Sequence, residues 1–165
     1  MSLRAPPKKL FVYGTLCDAE LFAAVAGRPI TRFRPVAARA AQTRAVLAAD
    51  EPMPLITRGN GVTKGLLLTE ISGEAWRRIR FYEDDVYQLA PIRLQLRSGK
   101  RMGAFAFWPK RAARTWFRMW NFREWQRTEK MRALVAARQF MDYLDAPPGT
   151  DLDQVWRNIK SNLAA

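Results

Sequence analysis

Near its start the chain runs Leu10-Phe11-Val12 directly into Tyr13-Gly14-Thr15-Leu16, and from Asp18 onward it reads as a helix. Three apolar residues in a row mark a buried strand. Gly14 then admits backbone angles that other residues avoid. Asp18 suits the N-cap of the following helix, with Leu21, Phe22 and Val25 on one face. Strand, tight turn and helix start gather several free backbone N–H groups in one small concavity. Such a place suits a carboxylate or a developing oxyanion. The same junction also serves as a plain strand-to-helix turn, and only a feature far downstream separates the two readings.

Down the chain, strand patterns recur at short spacing. Gly27-Arg28-Pro29 ends the first helix. Residues 30–47 alternate roughly apolar and polar, as one long bent strand or two, with Pro35 at an edge or bend. Leu55 to Arg58 meet Gly59-Asn60-Gly61, which predicts a hairpin turn, and Val62 to Ile71 form the return strand. Gly65-Leu66-Leu67-Leu68 is apolar on both faces and belongs centrally. Ser72 caps a short helix over 74–82 with Ala75, Ile79 and Tyr82 inward. Strands at 86–96 and 101–108 are joined by a second hairpin at Ser98-Gly99. The predicted fold class is α+β: a small mixed β-barrel of about six strands with two short helices, over residues 9–109.

After Pro109 the pattern changes. From Trp116 through Met119, Trp120 and Arg123 to Met141 the spacing predicts helix, with a break at Asn121 or Thr128. Pro147-Pro148-Gly149 stops it. Thr150 and Asp151 cap a last helix carrying Leu152, Val155, Trp156, Ile159 and Leu163 on one face. Residues 110–165 are thus a helical C-terminal extension, packed on the barrel or pairing two copies as a homodimer.

Composition narrows the chemistry. Among 165 residues there are 28 basic and 15 acidic side chains, a formal net charge of +13, and no histidine. The charge can steer anionic partners without saying which. Lack of histidine removes the commonest general base and the commonest metal ligand. Cys17 is the single cysteine, so an intrachain disulfide and a thiolate metal cluster are excluded. It reads as a small buried residue, since no base accompanies it. Acid–base chemistry has to rest on Asp, Glu, Tyr or Lys. Met1 to Lys9 lack a secretory pattern, and a reducing, cytoplasmic location is expected.

Glu83 is the strongest candidate for such chemistry. It lies in Phe81-Tyr82-Glu83-Asp84-Asp85-Val86-Tyr87, where helix gives way to strand and aromatic neighbours can desolvate a carboxylate. Asp84 and Asp85 read as a solvated surface turn.

Tyr13-Gly14-Thr15-Leu16 after an apolar first strand, with Tyr82-Glu83 and Tyr87 far downstream, resembles the gamma-glutamylcyclotransferase-like superfamily, in its AIG2-like branch. Pro52 and Pro54, then Val62 and Gly65-Leu66-Leu67, then Ile79-Tyr82-Glu83, then Ala104 to Trp108 fall in the family's order. Arg80, Leu89 and Phe107 depart from its usual residues. The resemblance implies an enzyme that needs no cofactor and no metal and cyclises a small-molecule gamma-glutamyl amide to 5-oxoproline. Glu83 would be the base. Gly14, Thr15 and Leu16 would hold the glutamyl group, with Tyr13 and Tyr87 lining the pocket.

Two rivals stand beside it. One is a barrel that binds a small ligand without catalysis. The other is a nucleic-acid or membrane-surface module, because basic residues from Lys110 to Arg138 interleave with Trp116, Phe117, Trp120, Phe122 and Trp125. An amphipathic helix with its aromatics against the barrel explains that interleaving more simply.

Overall fold

The first strand, β1 (Lys9–Val12), decides the architecture, because both of its faces are apolar. The structure, a computed structural model, describes residues 5–48, 53–83, 86–110 and 115–164, and of residues 115–117 only the backbone. Asp84 and Asp85 lie outside the described residues. A 3-10 turn at Thr15–Cys17 leads from β1 into α1 (Ala19–Ala26), and a second occupies Ile30–Phe33. There follow β2 (Val36–Ala48), β3 (Pro54–Thr69), α2 (Gly73–Glu83), β4 (Tyr87–Leu96) and β5 (Arg101–Pro109). The chain ends with β6 (Thr115–Met119), α3 (Phe122–Thr128), α4 (Lys130–Met141) and α5 (Leu152–Ala164).

β1 pairs antiparallel with β3 and parallel with β5. The β5–β4, β4–β2 and β2–β3 pairs are antiparallel and close the circuit. Five strands thus form a closed mixed barrel, and β6 adds to β2 outside the circuit. Closure removes the free edges that would invite foreign strands.

Alternation along the strands sorts side chains into two layers. Phe11, Ala38, Ala40, Ile56, Leu67, Ile92, Leu94, Ala104 and Ala106 fill the barrel. Its alanines on β2 and β5 leave room for the Phe11 ring in a narrow interior. Leu10, Val12, Leu55 and Leu68 point the other way, into a layer built by α1, α2 and α4 through Phe22, Val25, Trp76, Ile79, Leu134 and Ala137. β3 is therefore central, with Leu67 inside the barrel and Leu68 under the helices. Gly65 lets β3 approach β1 closely, since a Cβ there would sit 2.2 Å from the Val12 carbonyl oxygen.

Three expectations change. Gly59-Asn60-Gly61 is a corner inside one continuous strand rather than a hairpin turn. Ala41 pairs with Val62 and Thr43 with Arg58, so Gln42, at φ 57°, faces the whole Gly-Asn-Gly step as a bulge. Because Leu66 pairs with Val12 while Pro54 packs on Gly14, β3 must fold back at this corner. Ile30–Phe33 is a 3-10 turn rather than the start of a strand. Residues 115–119, read as helix, form β6, because Met119 and Thr115 find partners in Val46 and Ala48.

The remaining tail is helical, with Asn121 capping α3 and the break at Glu129. Its aromatics turn inward: Trp125 is buried, stacks on Phe122 and leans on Trp120. Phe140 and Trp156 join α4 to α5 with Ile159.

Candidate active site

The turn after β1 is shaped by what packs on it. Gly14 has φ −117°, so it is not a left-handed position. Glycine is required there for space instead: a Cβ would lie 2.2 Å from Pro54 Cγ. The 3-10 turn uses the N–H groups of Cys17 and Asp18, which donate to the carbonyls of Gly14 and Thr15 at 3.0 and 2.9 Å. Among the described residues no acceptor takes the N–H groups of Gly14, Thr15 or Leu16.

Asp18 anchors the turn to the helices. It is 2% exposed. Its Oδ1 accepts the N–H groups of Glu20 and Leu21, each at 3.1 Å. Its Oδ2 meets Gln126 Nε2 at 2.9 Å and Lys130 Nζ at 3.0 Å. Burial pushes the carboxyl pKa up, but hydrogen bonds from Gln126, the Leu21 N–H and Lys130 outweigh it and hold the group below its ordinary value. Lys130 also reaches Glu20 at 2.9 Å, so α4 is fastened to the start of α1.

Glu83 is in the opposite condition. It is the last residue of α2, brought to the barrel because Ala75, Trp76 and Ile79 bury the inner face of that helix. Ser72 starts α2 as expected, accepting the Ala75 N–H at 3.2 Å. Among the described residues no donor or cation meets the Glu83 carboxylate, and burial pushes its pKa up to about 8. Burial and the nearby Glu83 charge together raise the Tyr13 phenol.

All six predicted site residues line one cavity of about 360 Å³: Tyr13, Gly14, Thr15, Leu16, Glu83 and Tyr87. The two tyrosines are fixed by their hydroxyls. Tyr13 Oη donates to the Phe107 carbonyl at 2.7 Å, and Tyr87 Oη to the Pro54 carbonyl at 2.6 Å. The Tyr13 oxygen also takes a hydrogen bond from the Ile56 main chain. Phe107, one of the departures from the family pattern, thus serves through its main chain, while its ring lies against Trp76 and Tyr87.

Sequence reasoning missed the rest of the wall. Met53 and Pro54 close one side. Ala133, Ala136, Phe140 and Trp156, from α4 and α5, close another. Their helical spacing was legible, but nothing in a helix's periodicity names the surface it covers. Cys17 is not part of this chemistry. Its Sγ donates to the Val12 carbonyl at 3.3 Å, and burial pushes the thiol up to about 12.

The arrangement gathers a desolvated carboxylate poised near neutral pH, main-chain donors without acceptors, and an apolar wall. It can bind an anionic head and accept a proton beside it.

Comparison with known proteins agrees with this reading of the fold. A solution structure from Arabidopsis thaliana aligns with a TM-score of 0.60 at 19% identity, over 89% of this chain and 97% of that one. A second Arabidopsis thaliana protein gives 0.59 at 17%, over 93% of each chain. A structure described as gamma-glutamyl cyclotransferase gives 0.51 at 9%, over 93% of this chain and 99% of the other. No curated protein sequence matches. The family model for gamma-glutamyl cyclotransferase, AIG2-like, matches residues 10–127, which takes in the whole barrel, β6 and most of α3. The chain belongs to the AIG2-like gamma-glutamyl cyclotransferase family.

Proposed function

We propose that the protein cyclises gamma-glutamyl amides to 5-oxoproline, with Glu83 as the general base. The observation that carries the reading is the shared cavity: a carboxylate whose pKa burial has pushed to about 8 lies with the main-chain donors of the Gly14–Leu16 turn.

The substrate's α-carboxylate would sit on the turn N–H groups. Glu83 takes a proton from the α-ammonium. The freed amine attacks the side-chain carbonyl carbon and forms the lactam C–N bond, leaving an oxyanion that turn donors can stabilise. Collapse breaks the amide C–N bond; the proton held by Glu83 and the second proton shed by the attacking nitrogen both pass to the departing amine, which leaves as an ammonium. Atoms balance without water: the amide becomes 5-oxoproline and a free amine. Attack within one molecule removes the entropy cost of joining two reactants, so one base and good positioning suffice. Ala133, Ala136, Phe140 and Trp156 line the same cavity and give the leaving amine an apolar seat.

The test is 5-oxoproline release from a panel of gamma-glutamyl amides with small polar, aliphatic and aromatic amines. Wild type should turn over the apolar and aromatic members best. Glu83→Gln should bind them and release none. A wild type inactive on the whole panel, or a fully active Gln variant, refutes the reading.

A further inference from the structure

The barrel strands carry no acidic residue. β1 to β6 contain Lys9, Arg39, Arg44, Arg58, Lys64, Arg93, Arg101 and Arg118, and neither Asp nor Glu. Among the described residues, the acidic side chains lie on helices and connecting segments. The cations are also aligned. Arg39 pairs in register with Lys64 on β3 and with Gln95 on β4, and Gln95 pairs with Arg101 on β5. One rung around the barrel wall thus reads Lys64–Arg39–Gln95–Arg101. All four are exposed, while Ala38, Ala40, Leu94 and Ala104 alternate into the interior. Arg93 lies on the same outward face two residues from Gln95, and its partner Gly103 leaves open space beside it.

Directly opposed like charges such as Arg39 and Lys64 weaken a sheet. Among the described residues none of Arg39, Lys64, Arg93 and Arg101 belongs to an ion pair. By contrast, the helices balance their charge, as at Lys130 with Asp18 and Glu20, or Arg77 with Glu74 and Asp145. A row of uncompensated cations is a surface complementary to a polyanion.

The shape of the row selects the polyanion. With neighbouring strands about 4.8 Å apart, three steps between strands make a rung about 14 Å long. It follows the curve of a closed barrel, so a flat bilayer would touch only part of it. The rung itself, with Arg93 and Gly103 beside it, carries no Trp, Phe or Leu side chain of the kind that seats a protein in a membrane interface. A flexible single strand with a phosphate at each nucleotide can bend along the row. We propose that the β3–β2–β4–β5 wall binds the backbone of single-stranded nucleic acid, with Lys64, Arg39, Arg93 and Arg101 on the phosphates. The site is separate from the Glu83 cavity and does not depend on the reaction there.

Binding should be largely indifferent to sequence and steep in salt. Four phosphate contacts give a slope of log K against log salt near −3 for a single strand. The experiment titrates a fluorescent 20-nucleotide single strand with wild type, with a wall variant (Arg39→Gln, Lys64→Gln, Arg93→Gln, Arg101→Gln), and with a charge-matched helix variant (Arg123→Gln, Arg127→Gln, Arg138→Gln, Arg157→Gln), from 50 to 200 mM salt. Thermal melts confirm that the variants are folded. The wall variant should lose about 30-fold or more in affinity at 50 mM and most of the salt slope. The helix variant should lose only a few-fold. Equal losses in the two variants would overturn the proposal, as would an unaffected wall variant. So would binding to vesicles of acidic phospholipid that is tighter than to the strand and equally sensitive to the wall residues.

Discussion

The start of α1 and the end of α2 each hold a carboxylate close to the same turn, and the two are treated in opposite ways. Asp18 receives two main-chain N–H groups, a Gln126 amide and the Lys130 ammonium, and its pKa is held down. Glu83 is desolvated with no such compensation among the described residues, and its pKa is pushed to about 8. A carboxylate that only holds structure is surrounded by donors. One left without them is kept at a cost to stability and is available for proton transfer. The difference separates scaffold from chemistry where residue type alone does not.

The largest effect expected is on activity. Glu83→Gln should lower 5-oxoproline release by about 10²–10⁴-fold, the usual worth of a positioned base. Asp18→Asn should leave the same assay within a few-fold, because Asp18 does not line the cavity. Equal losses would erase the contrast.

Gly14→Ala should be next. Its Cβ would enter the Pro54 ring, which lacks freedom to move, and overpacking of that kind costs about 1–3 kcal/mol. Chemical denaturation should show the loss, and displacement of the turn should raise KM.

Stability should then respond to pH with opposite signs at the two carboxylates. Asp18 has a lowered folded pKa, so its contribution is present above its unfolded value near 4 and is lost as pH falls through the folded value. Asp18→Ala should therefore cost about 1–2 kcal/mol at pH 7, from the lost cap and hydrogen bonds, and less in acid. Glu83 has a raised folded pKa, so the folded state loses stability as pH rises from about 4.5 to about 8. Glu83→Gln should melt at a higher temperature than wild type at pH 9 and match it near pH 4. Melting curves at three pH values check both signs.

The smallest effect expected is at Tyr87. Tyr87→Phe removes the bond to the Pro54 carbonyl and should cost about 1 kcal/mol.

What could be read from the sequence was what short-range chemistry sets. The Asp18 cap, the Ser72 cap, the Gly99 turn at φ 87° and the two-faced apolar run at Leu67-Leu68 each follow from neighbours in the chain. The motif resemblance carried Glu83 to the turn across the fold. Long-range pairing set what was missed. β6 is a strand because Val46 and Ala48, about seventy residues away, leave hydrogen-bonding groups for it. Gly59-Asn60-Gly61 does mark a reversal of direction, but Gln42 opposite it keeps the strand continuous. The extension's helices were foreseen, but not that Phe140 and Trp156 wall the cavity holding Glu83.

The central claim, that Glu83 is a desolvated base, is tested most directly by the pH dependence of kcat/KM for 5-oxoproline release. The base works only when ionised. The rate should therefore climb about tenfold per pH unit below its pKa and level off above about 8, with that limb missing from whatever residual rate Glu83→Gln retains. A profile already flat from pH 5 upward would mean that an ordinary, solvated carboxylate does the work, and would contradict the account.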